Sequence, residues 1–208
     1  MVEGYHPGEY NFPRNDQQRL EICIGAILTQ NTRWRNVNLA LRELKHQGLF
    51  SLCEMQKAEP GKIALAIQSA GYYNQKSQTI KRLVKLLNDR PFEALEGEPL
   101  THLRKMLLEV KGIGPETADC ILLYALNRSS FVVDAYTRRI LDRHGILPAV
   151  ASYDGIKQLF ENALENRWQL FQEYHALLVI HGKQYYGKTP YGELDPLLNR
   201  QSEQRGDR

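Results

Sequence analysis

The sequence predicts an all-α protein, because apolar residues recur at the helical period along most of the 208-residue chain. The alternating patterns that predict β-strands are nearly absent. With 42% hydrophobic and 25% charged residues, the chain has the composition of a globular protein and is long enough to bury a substantial core. The exception to the helical pattern is a short apolar stretch at residues 131–133, which we expect to be extended.

Apolar periods and end signals place the helices in order. A first helix, apolar on nearly every side, begins near Asp16, a plausible N-cap, and ends at the polar stretch 29–32. We therefore expect it to lie at the centre of a core. Glycines such as Gly48 and Gly71 mark the ends of later helices. The further predicted helices cover residues 37–48, 62–69, 74–87, 100–110, 116–126, 135–145, 152–166 and 168–182.

The helix predicted at residues 74–87 carries a group of basic side chains beside its apolar positions. We interpret them as a solvated basic face, with contact to phosphate as the alternative. The residues of this group are Lys76, Lys81, Arg82 and Lys85.

Charge and cysteine content say more about the cellular location of the protein than about its function. The formal net charge of +3 is compatible with a polyanionic partner but does not indicate one. Cys23, Cys53 and Cys120 are too widely spaced for a disulfide framework or a CxxC metal site. The N-terminus lacks the pattern of a signal peptide, and no stretch approaches the roughly 20 apolar residues of a membrane span. These features predict a cytoplasmic protein with no membrane partner.

The segment LLEVKGIGPETADCILLYAL predicts two helices joined by a tight turn. Gly112 and Gly114 allow a sharp bend, and Pro115 suits the first turn of the second helix. A turn without side chains lets the N–H groups at the start of that helix approach a phosphate, so the pattern LxxVxGIGxxTAxxIL favours DNA binding over a corner whose glycines serve packing only. The predicted DNA contacts are Lys111, Gly112, Ile113, Gly114 and Thr117.

The motif LLEVKGIGPETADCIL, followed by VVDAYTRRIL, resembles the helix-hairpin-helix DNA glycosylases, the superfamily of endonuclease III. The resemblance covers most of the chain, including ICIGAILTQNTRW near its start and LLVIHGKQYYGKTPYGELDPLL near its end. It implies two all-helical lobes with DNA bound in the cleft between them. Residues 16–128 would form a helical barrel lobe that contains the hairpin, and residues 1–15 and 129–208 would combine into the second lobe.

The resemblance makes Asp134 the family's invariant aspartate. Breaking an N-glycosidic bond generates a sugar that resembles an oxocarbenium ion, and a nearby carboxylate stabilises that charge or activates the attacking water. Asp134 also stands where an extended stretch enters a helix, so an N-cap role is the alternative. One residue can serve in both roles, and we predict catalysis.

Two further positions narrow the chemistry within the family. Bifunctional members carry a lysine two residues after the second hairpin glycine, where it attacks the sugar and cleaves the strand through a Schiff base. Here that residue is Glu116, which implies a glycosylase without the usual strand-cleaving lysine. We interpret Glu116 as a first-turn helix acid, with a base-pocket role as the alternative. Ala26 stands where adenine glycosylases of oxidised mispairs have a glutamate, which counts against that branch.

Gln30, in the stretch LTQNT, occupies the family position that wedges into the duplex where the flipped nucleotide leaves a gap. The alternative is a polar glutamine at a helix end.

Most endonuclease III-like proteins end with four cysteines that hold an iron–sulfur cluster. Tyr186, Gly192 and Asp195 stand about where cysteines are expected, so the resemblance predicts no cluster and no other metal. Loss of the cluster and of the lysine, together with GYYNQK at residues 71–76 and HGK at 181–183, resembles the 3-methyladenine DNA glycosylase III branch.

An aromatic slot suits a flat, electron-poor alkylated purine through stacking and cation–π attraction. Trp34 matches an aromatic pocket position of that branch, and Phe12 matches a stretch that supplies the opposite wall. The alternative assigns both residues to packing. We also include Lys183 among the pocket candidates; the alternatives are a buried polar tie inside the second lobe and a solvated lysine at the end of a helix.

The sequence thus predicts a monofunctional, monomeric DNA glycosylase of the cytoplasm and nucleoid that hydrolyses alkylated purines such as 3-methyladenine out of double-stranded DNA after flipping the base. An endonuclease III-like glycosylase for oxidised or mismatched pyrimidines is one alternative, and a non-catalytic DNA-binding module is another. Asp134 argues against the second, because binding alone does not require a carboxylate that faces phosphates.

Overall fold

The computed structural model of the chain describes residues 12–148 and 150–198, which are helical with no β-strand, as predicted. No helix in these ranges combines the length and the apolar character needed to cross a membrane. The α-helices are α1 (Asp16–Leu28), α2 (Trp34–His46), α3 (Leu52–Lys57), α4 (Pro60–Ala66), α5 (Tyr73–Asp89), α6 (Phe92–Leu95), α7 (Leu100–Leu108), α8 (Pro115–Cys120), α9 (Ala135–Arg143), α10 (Tyr153–Ala163) and α11 (Trp168–Tyr185).

The observed helices differ from the prediction mainly where they are short. The sequence pattern does not predict α3 and α6, because six and four residues are too few to display a helical period. The N-cap of α1 is Asn15, whose side chain accepts a hydrogen bond from the Gln18 N–H, and Asp16 is the first helical residue. After α8 the chain continues directly into a π-helical segment, Ile121–Ala125.

The chain divides into two compact units, the first up to Ser130 and the second from Phe131. In the first unit α1 is central, as its apolar pattern predicts, because it contacts α2, α5 and α8 and its side chains are buried on several faces. The buried side chains of this helix form part of the hydrophobic core of the unit. The predicted assignment of residues 1–15 to the second lobe concerns mostly residues outside the described ranges and stays a prediction.

The second unit is built on contacts between α9 and α11. A Cβ on Gly182 of α11 would lie 2.4 Å from the Tyr136 side chain of α9, so the two helices approach too closely for any larger residue there. Residues 131–133 are buried without regular secondary structure, and the Phe131 ring stacks on Phe160 with centroids 4.1 Å apart. This packing fixes the segment that leads to Asp134.

Candidate functional site

The predicted hairpin is present, and its two glycines serve different purposes. Gly112 has a φ of +102°, and a Cβ at that position would lie 2.1 Å from Thr79 Oγ1 of α5. Gly114 has an extended conformation, and a Cβ there would meet open space. Gly112 is therefore required by the backbone and by its contact with α5, whereas Gly114 leaves the start of α8 uncovered. Between them, Ile113 is buried and anchors the turn to the core.

Gln30 lies against this hairpin rather than apart from it. Its Nε2 donates hydrogen bonds to the Gly112 carbonyl at 3.1 Å and to Thr117 Oγ1 at 2.9 Å. The structure thus brings together three residues that the sequence assigned to DNA contact. Lys111 is exposed, and its carbonyl accepts a hydrogen bond from Arg82 of α5 at 3.2 Å. The turn and the loop after α1 form one hydrogen-bonded surface.

The interpretation of α5 as a solvated basic face is wrong for two of its four cations, Lys76 and Lys81, whereas Arg82 and Lys85 are exposed. Lys76 is buried, and its Nζ donates to the Leu28 carbonyl at 2.9 Å and to the Ala70 carbonyl at 2.8 Å. Lys81 donates to three carbonyls at the end of α3. Cations favour carbonyl oxygens at helix C-termini because these are unsatisfied and carry partial negative charge.

Lys76 has a direct bearing on the candidate site, because Leu28 is the last residue of α1 and Gln30 follows two residues later. Burial lowers the pKa of Lys76. Its ammonium fixes the end of α1, and with it the loop that carries Gln30. The sequence pattern does not reveal this role, because the partners lie 48 and 6 residues away along the chain.

A buried ion pair that the sequence pattern does not predict joins the two helices of the hairpin. Asp119 of α8 is fully buried and accepts two hydrogen bonds from Arg104 of α7, at 2.9 and 3.1 Å. Ser130 also donates to Asp119, at 2.6 Å. The sequence does contain one indication of this ion pair: an acidic residue within the largely apolar run TADCILL requires a partner if it is buried. The bidentate pair fixes the angle between α7 and α8.

Asp134 is the N-cap of α9. Its Oδ1 accepts from both the backbone N–H and the hydroxyl of Thr137, each at 2.8 Å. The side chain is only half-buried. His175 of α11 is an electrostatic neighbour: burial lowers the pKa of His175, and the negative charge of Asp134 opposes that shift. The carboxylate is thus held in a fixed orientation at the start of a helix.

The four pocket candidates have different environments. Trp34 begins α2 and is half-buried, with its Cη2 3.7 Å from where a Cβ on Gly25 would lie. Phe12 is also half-buried against the core of the first unit. Glu116 is exposed in the first turn of α8, and Lys183 is exposed in the last turn of α11. Both exposed positions are consistent with the interpretation of Glu116 as a first-turn helix acid and of Lys183 as a solvated lysine at a helix end.

An open depression lies at the surface where the loop after α1 leads into α2. Two of its lining side chains, Arg33 and Arg35, are cationic, so the depression suits a polyanion. The other lining residues are Asn31, Thr32, Asn36 and Leu39.

The residues of the tail do not fit an iron–sulfur cluster. Such clusters are held by cysteine thiolates, and the three cysteines of the chain, Cys23, Cys53 and Cys120, all precede Ser130. Among the described residues no group of three or more His, Cys, Asp or Glu side chains has the arrangement of a metal site.

Comparison with known proteins identifies the family to which the sequence is similar. The model of the HhH-GPD superfamily of base excision DNA repair proteins matches residues 24–166. A protein of Methanocaldococcus jannaschii, assigned provisionally as a DNA repair glycosylase, is 41% identical over 186 residues, which cover 87% of this chain and 84% of that protein. Endonuclease III of Sulfolobus acidocaldarius is 29% identical over 161 residues, covering 77% of this chain and 70% of that protein.

Two solved structures have the same fold. The H. pylori 3-methyladenine DNA glycosylase bound to 1,N6-ethenoadenine is 30% identical with a TM-score of 0.68, covering 79% of this chain and 84% of that chain. A non-covalent endonuclease III–DNA complex has a TM-score of 0.73 at 20% identity, covering 91% of this chain and 86% of that one.

Proposed function

This chain belongs to the HhH-GPD superfamily of base excision DNA repair proteins, and within it we propose a monofunctional glycosylase that releases alkylated purines such as 3-methyladenine. That it is a DNA glycosylase of base excision repair follows from the family. The proposal adds the substrate class and the absence of strand cleavage. It takes double-stranded DNA with the damaged base flipped out as the substrate and a monomer as the active form.

Asp134 is the proposed catalytic residue. As the bond between C1′ and the base nitrogen breaks, its electron pair leaves with the base, and positive charge develops on the sugar. A carboxylate held close to that sugar stabilises the charge. Water then adds to C1′, and its proton passes to Asp134 or to solvent. The two bonds from Thr137 support this role because they fix the carboxylate before substrate binds.

The observation that carries the substrate class is the likeness to the H. pylori 3-methyladenine glycosylase, which is 30% identical over most of both chains. Trp34 supports it, because a half-buried indole keeps part of its surface accessible and can offer one face to a flat base. A 3-methylated adenine carries positive charge, which weakens the glycosidic bond and adds cation–π attraction to stacking. Phe12 is the proposed second wall. Because the glycosidic bond is already weakened, the main requirement of the site is to distinguish the damaged base from normal bases.

Glu116 supports the absence of strand cleavage. It stands where bifunctional relatives have the attacking lysine, and a carboxylate cannot form a Schiff base. Glu116 is exposed in the first turn of α8, two residues after Gly114 of the hairpin turn.

The second candidate is an endonuclease III-like glycosylase for oxidised or mismatched pyrimidines, favoured by the 29% identity to the Sulfolobus enzyme. Glu116 weighs against the bifunctional form of that activity. A DNA-binding module without catalysis is the least favoured, because it would assign no role beyond capping to Asp134.

A panel of duplexes tests the proposal, each with one defined lesion: 3-methyladenine, 1,N6-ethenoadenine, thymine glycol, or thymine opposite guanine. Released base is identified chromatographically, and the DNA is examined before and after alkali. We expect release of the alkylated purines, with nicks only after alkali. Release confined to the pyrimidine lesions would favour the second candidate, and no release from any duplex would favour the third.

A further inference from the structure

The tail of the second unit folds around one buried carboxylate. Asp195 is fully buried, and its Oδ2 accepts a hydrogen bond from the Tyr186 hydroxyl at 2.6 Å. The Nε2 atoms of His181 and His144 lie 3.0 and 3.1 Å from the same oxygen. Because a carboxylate only accepts hydrogen bonds, both imidazoles donate through Nε2. Oδ1 accepts from the Leu197 N–H at 2.9 Å, so both carboxylate oxygens have donors.

These donors come from separate segments of the second unit. His144 is the C-cap of α9, His181 lies on α11, and Tyr186 is the residue that follows α11. One carboxylate therefore joins the end of α9, the end of α11 and the tail. Because Asp134 caps the other end of α9, the same short helix connects the catalytic candidate to this centre.

Neighbouring contacts bring the tail close to the same two helices. Gly192 has a φ of +70°, and a Cβ there would lie 2.8 Å from the ring of Tyr186, so the tail backbone passes directly over that ring. Arg139 of α9 donates to the Tyr186 carbonyl at 3.0 Å. Its guanidinium also lies over the Tyr191 ring, 4.5 Å from the centroid.

Tyr186, Gly192 and Asp195 are the residues that occupy cysteine positions in the resemblance to cluster-bearing relatives, and all three meet in this centre. We propose that Asp195, Tyr186, His144 and His181 form a metal-free anchor that secures the tail to α9 and α11, the task that an iron–sulfur cluster performs in those relatives. Asp195 is its hub.

If Asp195 anchors the tail, removing its carboxylate should destabilise the folded protein. Four donors point at one carboxylate that is itself without exposure to solvent, and hydrogen bonds to a charged acceptor are stronger than neutral ones. Replacing the carboxylate by an amide removes the charge and turns an –NH2 group toward other donors. Buried donors that lose their acceptor are strongly destabilising. The effect should be greatest in the tail itself.

The test compares Asp195→Asn with Glu193→Gln, which removes the same charge from an exposed side chain two residues away. Thermal unfolding and hydrogen–deuterium exchange are measured on the full chain. We expect Asp195→Asn to lower the unfolding midpoint by at least about 5 °C and to abolish exchange protection in residues 186–198, with α1–α8 unaffected. Glu193→Gln should leave both measurements unchanged. Neither readout requires enzymatic activity, so the result is independent of the proposed substrate.

Tyr186→Phe serves as a milder variant in case Asp195→Asn does not fold. It removes one hydroxyl and keeps the ring against Gly192, so we expect a smaller loss of protection in the same residues. Elemental analysis of the wild-type protein completes the test. The anchor is overturned if neither variant changes tail protection, or if the protein contains stoichiometric iron or zinc that Asp195→Asn loses.

Discussion

At the start of α9, Oδ1 of Asp134 accepts both capping hydrogen bonds, one from the backbone N–H of Thr137 and one from its hydroxyl. Capping therefore does not require Oδ2, and the two interpretations of this residue are compatible at the level of single atoms. Since an asparagine side-chain oxygen can accept the same bonds, capping and charge can be separated experimentally.

We expect Asp134→Asn to reduce base release by a factor of about 100 to 1,000 or more, since it removes the negative charge that stabilises the developing sugar cation. The unfolding midpoint and the affinity for lesion DNA should change little, because the amide oxygen preserves the cap. Single-turnover excision, thermal melting and a binding titration on the same preparation measure these three quantities. Near-normal excision by the variant would remove Asp134 from catalysis.

Trp34→Leu tests the pocket. The substitution keeps apolar bulk at the start of α2 but removes the π-face, which contributes roughly 0.5 to 2 kcal/mol of attraction to a cationic base. Excision of 3-methyladenine should therefore fall more than excision of a neutral 1,N6-ethenoadenine, measured on protein shown to be folded. If melting temperature and both activities decline in proportion, Trp34 is a packing residue.

At the scale of elements, the sequence predicts α1 and the hairpin well because both are specified locally. The apolar surface of α1 and the spacing of Gly112, Gly114 and Pro115 need no information about distant residues. The role of α5 is different: from sequence Lys76 is indistinguishable from a solvated lysine, because its partners are carbonyl groups at the ends of two other helical segments. The same applies to Asp195, whose donors come from three segments.

The hairpin offers a matched pair of substitutions. Gly112→Ala places a Cβ 2.1 Å from Thr79 Oγ1 at a φ of +102°, so we expect it to reduce the free energy of unfolding by about 2 kcal/mol or more. Gly114→Ala meets open space and should cost under about 1 kcal/mol. It should instead weaken binding to all duplexes equally, with or without a lesion.

Chemical denaturation and binding titrations measure these effects. Equal loss of stability in both variants would contradict the different roles assigned to the two glycines. A change in lesion preference alone would contradict backbone contact by the turn.

At the scale of the whole molecule, the Asp195 centre makes the free energy of unfolding depend on pH in the acidic range. Burial raises the pKa of Asp195, but hydrogen bonds from Tyr186, His181, the Leu197 N–H and His144 outweigh it and lower the pKa from 3.8 to about 2. A carboxyl whose pKa is depressed by folding contributes stability that is complete above its unfolded pKa and is lost as pH falls toward its folded pKa. We expect the difference in unfolding free energy between wild type and Asp195→Asn to narrow by about 2 kcal/mol as the pH falls from about 5 to about 2. Urea titrations at a series of pH values measure it, and a difference independent of pH would contradict the depressed pKa.

The most direct test of the proposed function is the product formed from a single 3-methyladenine duplex, analysed before and after alkali for the wild type and for Glu116→Lys. The wild type should release free 3-methyladenine and leave an intact strand that alkali then breaks. Glu116→Lys places an amine at the position of the attacking lysine and should yield some strand cleavage without alkali and a borohydride-trapped complex. Strand cleavage by the wild type without alkali, or no release of 3-methyladenine, would contradict a monofunctional alkylpurine glycosylase.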